Sequence, residues 1–572
     1  MPSYRSILIT IYKLLLAALF LMTQFGEGTI YAQTIPAGSL LDQQMEIQSL
    51  VSDSALFSPV NRPLSATAYS DFVTGDRNDP RWWNQRLLEP VRTLGRYGEI
   101  GILPVFLQNT YNSRFPMGEN NAAAWYGRGS STEWKGGFYF SSDYVTLNLY
   151  PHLIYHENVD FLTPRFIPRD SNGDIRYVAE GLGAQIDAPF RFGPDSFTTL
   201  DPGNSSLRLH YKKLETGLST EPLWWGPAVR YPMVFSNNAA GFRHFFFSSR
   251  EPVSVPYLGD VQFKWILGYP EESQYYDGRN EGQTRFTNAL NVAYSPPFYK
   301  NLTVGFIRVF HMYENNGFDF ENAFLMFNPF FEQDFVDPGE EGAFTTDRNQ
   351  VVSFYAHVRL PGANAEIYAE YYREDRSFDL RDFINQPGHN SAYTFGFQKV
   401  SEVPWFDFVR TNLEFTDLIR SQLQQVRVQG NYYTHSKIRQ GHTNRGQILG
   451  AAIGPGSSSQ YLSFDAYKND VRVGLFLQRV VDNNNFHYLI GSADETPARD
   501  FGDYFRHRIN LNAGVNLLYG PGPFYLNAKM MWTKAYNYAR FDLGDVRDST
   551  IRNYERDDRI NLQMQIGITY VY

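Results

Sequence analysis

From Ile560 to Tyr572 the chain alternates without a break, and no other feature limits its fold as tightly. Ile560, Leu562, Met564, Ile566, Ile568, Tyr570 and Tyr572 share one face, and Asn561, Gln563, Gln565, Gly567 and Thr569 the other. A period of two is a two-faced β-strand, because a helix would scatter the same residues around its axis. Arg508 to Tyr519 repeats the pattern, with Ile509, Leu511, Ala513, Val515, Leu517 and Tyr519 opposing Asn510, Asn512, Gly514 and Asn516, and a Gly520-Pro521-Gly522-Pro523 turn follows. Val145 to His156 repeats it again over a length that crosses a bilayer at a tilt, blurred at Pro151 and Ile154. A soluble sandwich or propeller would bury the apolar face in a protein core. Two features turn it towards lipid instead. The 39 Tyr and 46 Phe among 572 residues suit interface girdles, and the last strand is aromatic and ends at Tyr572. Such a terminal strand is the form of signal read by the outer-membrane insertion machinery. Short Gly, Pro, Asn and Asp turns alternate with longer polar loops, such as Asp542 to Asp558. The expected fold is an all-β transmembrane antiparallel barrel in a bacterial outer membrane, with membrane lipid and the insertion machinery as partners.

The N-terminus reads differently. Arg5 and Lys13 precede an apolar stretch from Leu14 to Met22, and Ile30-Tyr31-Ala32 offers a small residue for cleavage. Residues 1–32 therefore read as a secretory signal peptide. Residues 33–100 read as a helical periplasmic segment, with a short helix starting at Ser65-Ala66 and another over Arg81 to Thr93, where Trp82, Leu87, Leu88 and Val91 form an apolar stripe interrupted by Pro90. Residues 101–572 remain for the barrel, and at roughly 26 residues per strand with its share of loop they give about 18 strands, with roughly sixteen or twenty fitting equally well.

Composition removes several classes of function. There is no cysteine, so disulfides, thiol nucleophiles and thiolate-held metals are excluded. The formal charge of -9, with no long basic run, excludes a nucleic-acid partner. No GxSxG, HExxH or Walker motif occurs, and the histidines lack metal-ligand spacing, so no catalytic residue, metal site or cofactor is assigned. His156-Glu157 and His507 near Asp503 are chance pairings in a polar lumen. Glu374, Asp375 and Asp379 are interleaved with Arg373, Arg376 and Arg381 and read as a salt-bridged rim. On the strand Val351 to Leu360 the polar face carries Ser353, Tyr355, His357 and Arg359, and the next strand offers Glu366, Tyr368, Glu370, Tyr372 and Glu374 across a hairpin. Such a ladder either fills and rigidifies the interior or lines a solute pathway, and both readings stay open.

Two segments are too rich in turn formers to be strand interiors: Leu223-Trp224-Trp225-Gly226-Pro227 with Phe235 to Phe242, and Tyr433 to Ser457. They read as folded loops that shape or plug the barrel. The WWGP and SNNAAGF motifs, LRDFINQPGHNSAYTFGF from Leu380, and RGQILGAAIGPGSSSQ from Arg445 together resemble the capsule assembly protein Wzi family, from about Arg62-Pro63 to the C-terminus. The resemblance implies an outer-membrane barrel of eighteen strands with an N-terminal helical element. It also implies a protein that holds or organises capsular or extracellular polysaccharide at the cell surface, without catalysis. Sugar rings offer apolar faces to Trp while Asn and Arg satisfy hydroxyls, and Trp224, Trp225, Asn237, Asn238 and Arg445 supply that mixture. Turn and plug packing is the competing and simpler role for the same residues. The alternative function is a porin-like channel for solutes or polysaccharide; a third is a membrane-embedded hydrolase.

Overall fold

A computed structural model of the chain describes residues 27–28, 34–51, 59–65, 79, 81–84, 91–94, 97–163, 169, 175–180, 182, 184–276, 278, 281–314, 320–327, 348–374, 384–385, 387–420, 430–485, 507–538 and 558–571, with side chains left out at a few of them. Eighteen antiparallel strands make one closed sheet. In chain order they are β1 Glu99–Asn112, β2 Gly129–Ser141, β3 Val145–Leu149 with His152–His156, β4 Phe197–Asp201 with Ser206–Tyr211, β5 Leu214–Ser219 and β6 Arg243–Ser249. There follow β7 Gly259–Tyr269, β8 Arg285–Ser295, β9 Leu302–Tyr313, β10 Arg348–Leu360, β11 Ala365–Glu374 and β12 Ser391–Val403. The last six are β13 Phe406–Asp417, β14 Ser458–Lys468, β15 Val471–Asp482, β16 Arg508–Tyr519, β17 Phe524–Tyr536 and β18 Arg559–Tyr570. The ring closes where β18 meets β1, from Gln563 opposite Asn112 to Tyr570 opposite Val105. β3 and β4 are each interrupted in the middle, at Pro151 and Pro202, because proline has no N–H to give to a ladder.

Burial follows the alternation. On β18, Asn561, Gln563 and Gly567 are buried, while Ile560 and Ile566 are 52% and 71% exposed, so the apolar face looks out and the polar face looks in. β16 does the same, with Asn510 and Asn512 inside and Leu511, Val515 and Leu517 outside. An apolar exterior around a polar interior is the architecture of a barrel dissolved in lipid. The turns after β2, β4, β8, β10, β12, β14 and β16 are short and lie at one end, which in such barrels faces the periplasm. Tyr144, Tyr211, Tyr257, Phe298, Trp405 and Phe524 stand exposed at that end as an aromatic girdle. Girdles account for only part of the aromatic content, since Tyr139, Tyr231, Tyr368, Tyr372, Tyr432 and Tyr433 are fully buried within the barrel.

One helix, α1 Leu40–Val51, sits at the short-turn mouth. It begins where Ser39 Oγ accepts the Asp42 N–H at 3.2 Å and the Asp42 carboxylate accepts the Gly38 N–H at 2.8 Å, an N-terminal cap. Its apolar side packs with Trp82 and Trp83 against Phe408, Tyr467 and Leu518, wall residues beside the short turns. Its acidic side is clamped: Arg62 meets Asp42 at 2.8 Å and Glu46 at 3.0 Å, and Arg410 of β13 reaches Glu46 at 3.2 Å. Of the helix expected from Ser65-Ala66, Ser65 belongs instead to the two-residue strand Leu64–Ser65 and Ala66 lies outside the described residues. Of the helix expected over 81–93, the described residues form a single 3-10 turn at Trp82–Asn84 and the strand Val91–Thr93, and residues 85–90 lie outside the described residues. Both Trp82 and Trp83 are buried, which a one-sided helical stripe would not allow. Residues 1–26 and 29–32 of the expected signal peptide, with Gln33 and Tyr572, also lie outside the described residues.

Candidate functional site

The lumen is occupied by two inward-folded connections, 220–242 between β5 and β6 and the 431–457 part of the connection between β13 and β14. They bind each other mainly through backbone groups. Ser236 N–H donates to the Leu449 carbonyl at 2.7 Å, Asn238 Nδ2 to that of Ile448 at 3.0 Å, Asn444 Nδ2 to that of Ala240 at 2.9 Å, and the Tyr433 hydroxyl to that of Met233 at 2.8 Å. The connection between β1 and β2 joins them: Ala122 N–H donates to the Asn237 carbonyl at 2.5 Å. Here Asn120-Asn121-Ala122-Ala123 meets Asn237-Asn238-Ala239-Ala240, two copies of one tetrapeptide pattern.

Wall carboxylates hold this plug. Glu414 of β13 accepts the N–H groups of Val229, Arg230 and Tyr231 at 3.0, 3.0 and 2.8 Å and the Tyr368 hydroxyl at 2.6 Å. Glu370 of β11 accepts from Met233 N–H at 3.2 Å and Ser353 Oγ at 2.6 Å. Glu374 accepts the Tyr433 N–H. Tyr368 reaches Glu414 by lying across Gly396, where a Cβ would sit 2.0 Å from its ring, and Tyr355 lies in the same way across Gly305 to reach Asn291 at 2.8 Å. The absence of a side chain on the neighbouring strand is what lets these rings lie flat. The ladder is thus tied to the plug: the ring of His357 bonds Glu366 at 2.9 Å, and Arg359 stands opposite Glu366. Glu374 belongs to this buried set rather than to a solvated rim; Asp375, Arg376, Asp379 and Arg381 lie outside the described residues.

Several cavities remain beside the plug, and two of them concern function. The outer one, about 300 Å³, is lined by Trp125, Asn121, Asn238, Gln447, Asn510 and Asn512. The amide oxygens of Asn510 and Asn512 are buried and accept no hydrogen bond from the protein, while Asn512 Nδ2 donates to Gln478 at 2.9 Å. Trp125 is half-buried, its ring 5.3 Å from that of Phe192. The inner cavity, about 410 Å³, reaches towards α1 and the short-turn end, and Asn237 is on its wall.

The sequence-selected residues therefore separate. Trp224 and Trp225 are buried inside the plug, Trp224 donating from Nε1 to the Ala228 carbonyl at 2.9 Å and Trp225 packing at 5.0 Å on Phe235. Asn238 faces the outer cavity and Asn237 the inner one. Arg445 is spanned by Asp201 and Glu271, both at 2.7 Å, and although partial burial favours the neutral acid, Arg445 holds the Glu271 carboxyl below its usual range. Sequence reasoning missed Trp125, whose signal was the first copy of the Asn-Asn-Ala-Ala pattern just before it. It missed Asn510 and Asn512 as lining residues although it placed them on the inward face. His156 stacks on Phe197 at 4.3 Å while Glu157 turns away to accept the Ser130 N–H at 2.7 Å, so they form no acid-base pair. Asp503 lies outside the described residues. Among the described residues no cluster of His, Asp or Glu is arranged to hold a metal.

Comparison with known proteins agrees with this geometry. No sequence among the curated proteins matches the chain. Among solved structures it is similar to Wzi of Escherichia coli, described as an outer-membrane protein involved in group 1 capsule assembly and a carbohydrate-binding β-barrel. The TM-score is 0.58 at 14% identity, over 95% of this chain and 100% of that one, which supports the fold. OpdK of Pseudomonas aeruginosa (TM-score 0.36, 9% identity, 82% of this chain and 97% of that one) and OccAB2 of Acinetobacter baumannii (0.38, 10%, 83% and 98%) are more distant matches. The family model for capsule assembly protein Wzi matches residues 112–546, most of the barrel and the whole plug, and the chain belongs to that family.

Proposed function

We propose that this protein is a non-enzymatic outer-membrane barrel that binds capsular or extracellular polysaccharide and keeps it at the cell surface. The observation that carries the reading is the outer cavity, where one indole face stands among five side-chain amides. Apolar sugar faces stack on aromatic rings, and sugar hydroxyls both donate and accept, as amides do. The Asn510 and Asn512 side chains contribute two of those amides from the wall strand β16. Asn238 contributes from the plug, whereas Trp224, Trp225 and Arg445 act by packing and by ion pairing. The family's role in capsule assembly, and the carbohydrate binding described for the E. coli structure, support the same assignment.

The test is binding of the producing strain's purified polysaccharide to the detergent-solubilised barrel. Trp125→Ala is expected to weaken binding at least tenfold and Asn512→Leu comparably, with heat-modifiable migration unchanged. Wild-type binding by both variants would overturn the site, and no binding by the wild type would overturn the function.

A further inference from the structure

The inner cavity differs from the outer one in charge. Its titratable lining includes Lys135, Arg472 and Lys529 as cations and Glu133 as its one carboxylate. Glu133 is already committed: it bonds His152 at 2.8 Å, accepts from Gln108 at 3.1 Å and from the Tyr126 hydroxyl, and stands 3.9 Å from Lys135. The nearest acid on the plug side, Glu119, is held by Arg230 at 2.5 Å and by the Tyr231 hydroxyl at 2.6 Å. Among the described residues Lys529 makes no ion pair; its ammonium lies 5.5 Å from the Phe476 ring. Arg472 donates to Gln43 of α1 at 2.7 Å, while its Nε is buried without a hydrogen-bond partner, and Asp465 lines the adjoining chamber with Arg472 and Arg410. Cations still outnumber carboxylates in the lining of the inner cavity, and an excess of positive charge in a partly desolvated chamber favours an anion there.

The rest of the lining selects which anion. Asn527, Gln565 and Asn237 offer amides for hydroxyls, and Phe106, which Lys135 approaches to 4.9 Å, offers an apolar face. At about 410 Å³ the space lies within the roughly 300–1,000 Å³ of small-molecule sites and exceeds what a bare inorganic anion fills. We infer that the inner cavity is a second saccharide site, for a sugar bearing a carboxylate, with Lys529 and Arg472 as the groups that select the acid. The inference rests on the polysaccharide reading above but concerns a different chamber, separated from the outer one by the loop that carries Asn121 and Tyr126.

The experiment is calorimetric titration of the full-length solubilised barrel with glucuronate, glucose and sulfate at fixed ionic strength. Glucuronate is expected to bind at least tenfold tighter than glucose or sulfate. Lys529→Met and Arg472→Gln should each weaken it at least tenfold, and added salt should weaken it in the wild type. Equal binding of glucose, equal binding of sulfate, absence of glucuronate binding, or wild-type binding by both charge variants would overturn the inference. Polymer binding by the same preparation separates the two proposals. If polymer binds and glucuronate does not, only the inner site fails; if glucuronate binds and polymer does not, only the anchoring function fails.

Discussion

At Glu414 a single buried carboxylate gathers three backbone N–H groups and a tyrosine hydroxyl from two separate parts of the chain. Removing it would strand the donors of the buried Tyr231 and Tyr368, at about 1–3 kcal/mol each, and leave those of the half-buried Val229 and Arg230 without their acceptor. Glu414→Ala should therefore lower the barrel's stability by about 3–6 kcal/mol in urea unfolding, and Glu414→Gln by less, because one acceptor oxygen survives. Equal loss in the two variants would contradict this role. His442 sets a second residue-scale expectation. Its Nε2 donates to the Val234 carbonyl at 2.5 Å and its Nδ1 accepts from His311 at 2.7 Å, whose other nitrogen accepts from Thr287 at 2.7 Å, so the neutral ring satisfies every partner. Burial, aided by the Arg285 charge, pulls the His442 pKa down to about 4 from 6.5, with the Val234 bond only partly opposing it. Between these values the unfolded chain binds a proton that the folded plug does not, so stability falls as pH drops from 6.5 towards 4, by about 3 kcal/mol at most. The measurement is stability against pH, and His442→Gln should flatten that part of the curve.

Among elements, α1 and the two inward connections decide whether the barrel conducts. α1 is docked by the Arg62 clamp to Asp42 and Glu46, and breaking a buried ion pair on one side costs about 3–5 kcal/mol. Wild-type protein is expected to be silent in planar bilayers, whereas Arg62→Ala should undock α1 and give intermittent openings. Steady large openings of the wild type would favour the channel reading instead. The strands were legible because alternation survives in them residue by residue: β16 and β18 run where the pattern of Arg508 to Tyr519 and Ile560 onward puts them. The helix was not, although Ser39 and Asp42 before an apolar stripe carried a capping signal; a Trp-rich stretch drew the assignment to 81–93 instead. The plug segments were recognisable as folded loops by their glycines and asparagines. Their partners were not, since Glu370, Glu374 and Glu414 are far from them in sequence and look like ordinary lumen charge. Trp224 and Trp225 mislead for a related reason: side chains chosen as sugar-like are equally good packing, and only burial distinguishes the two.

For the whole molecule, the closed ring, the apolar exterior and the connections folded into the lumen are what the proposed anchoring role rests on. A protein in that role would need neither turnover nor an open pore. The outer cavity lies between the β1–β2 connection, the plug and the wall strands β15 and β16. The most direct measurement is the split between cell-bound and released polysaccharide in a strain lacking this protein, compared with the same strain carrying wild-type or Trp125→Ala protein, with other barrels in the membrane as an insertion control. Total polymer is expected to stay constant while most of it moves into the medium, wild-type protein should return it to the cells, and Trp125→Ala should not. An unchanged bound fraction in the deletion strain, with uptake of a solute lost instead, would contradict the account.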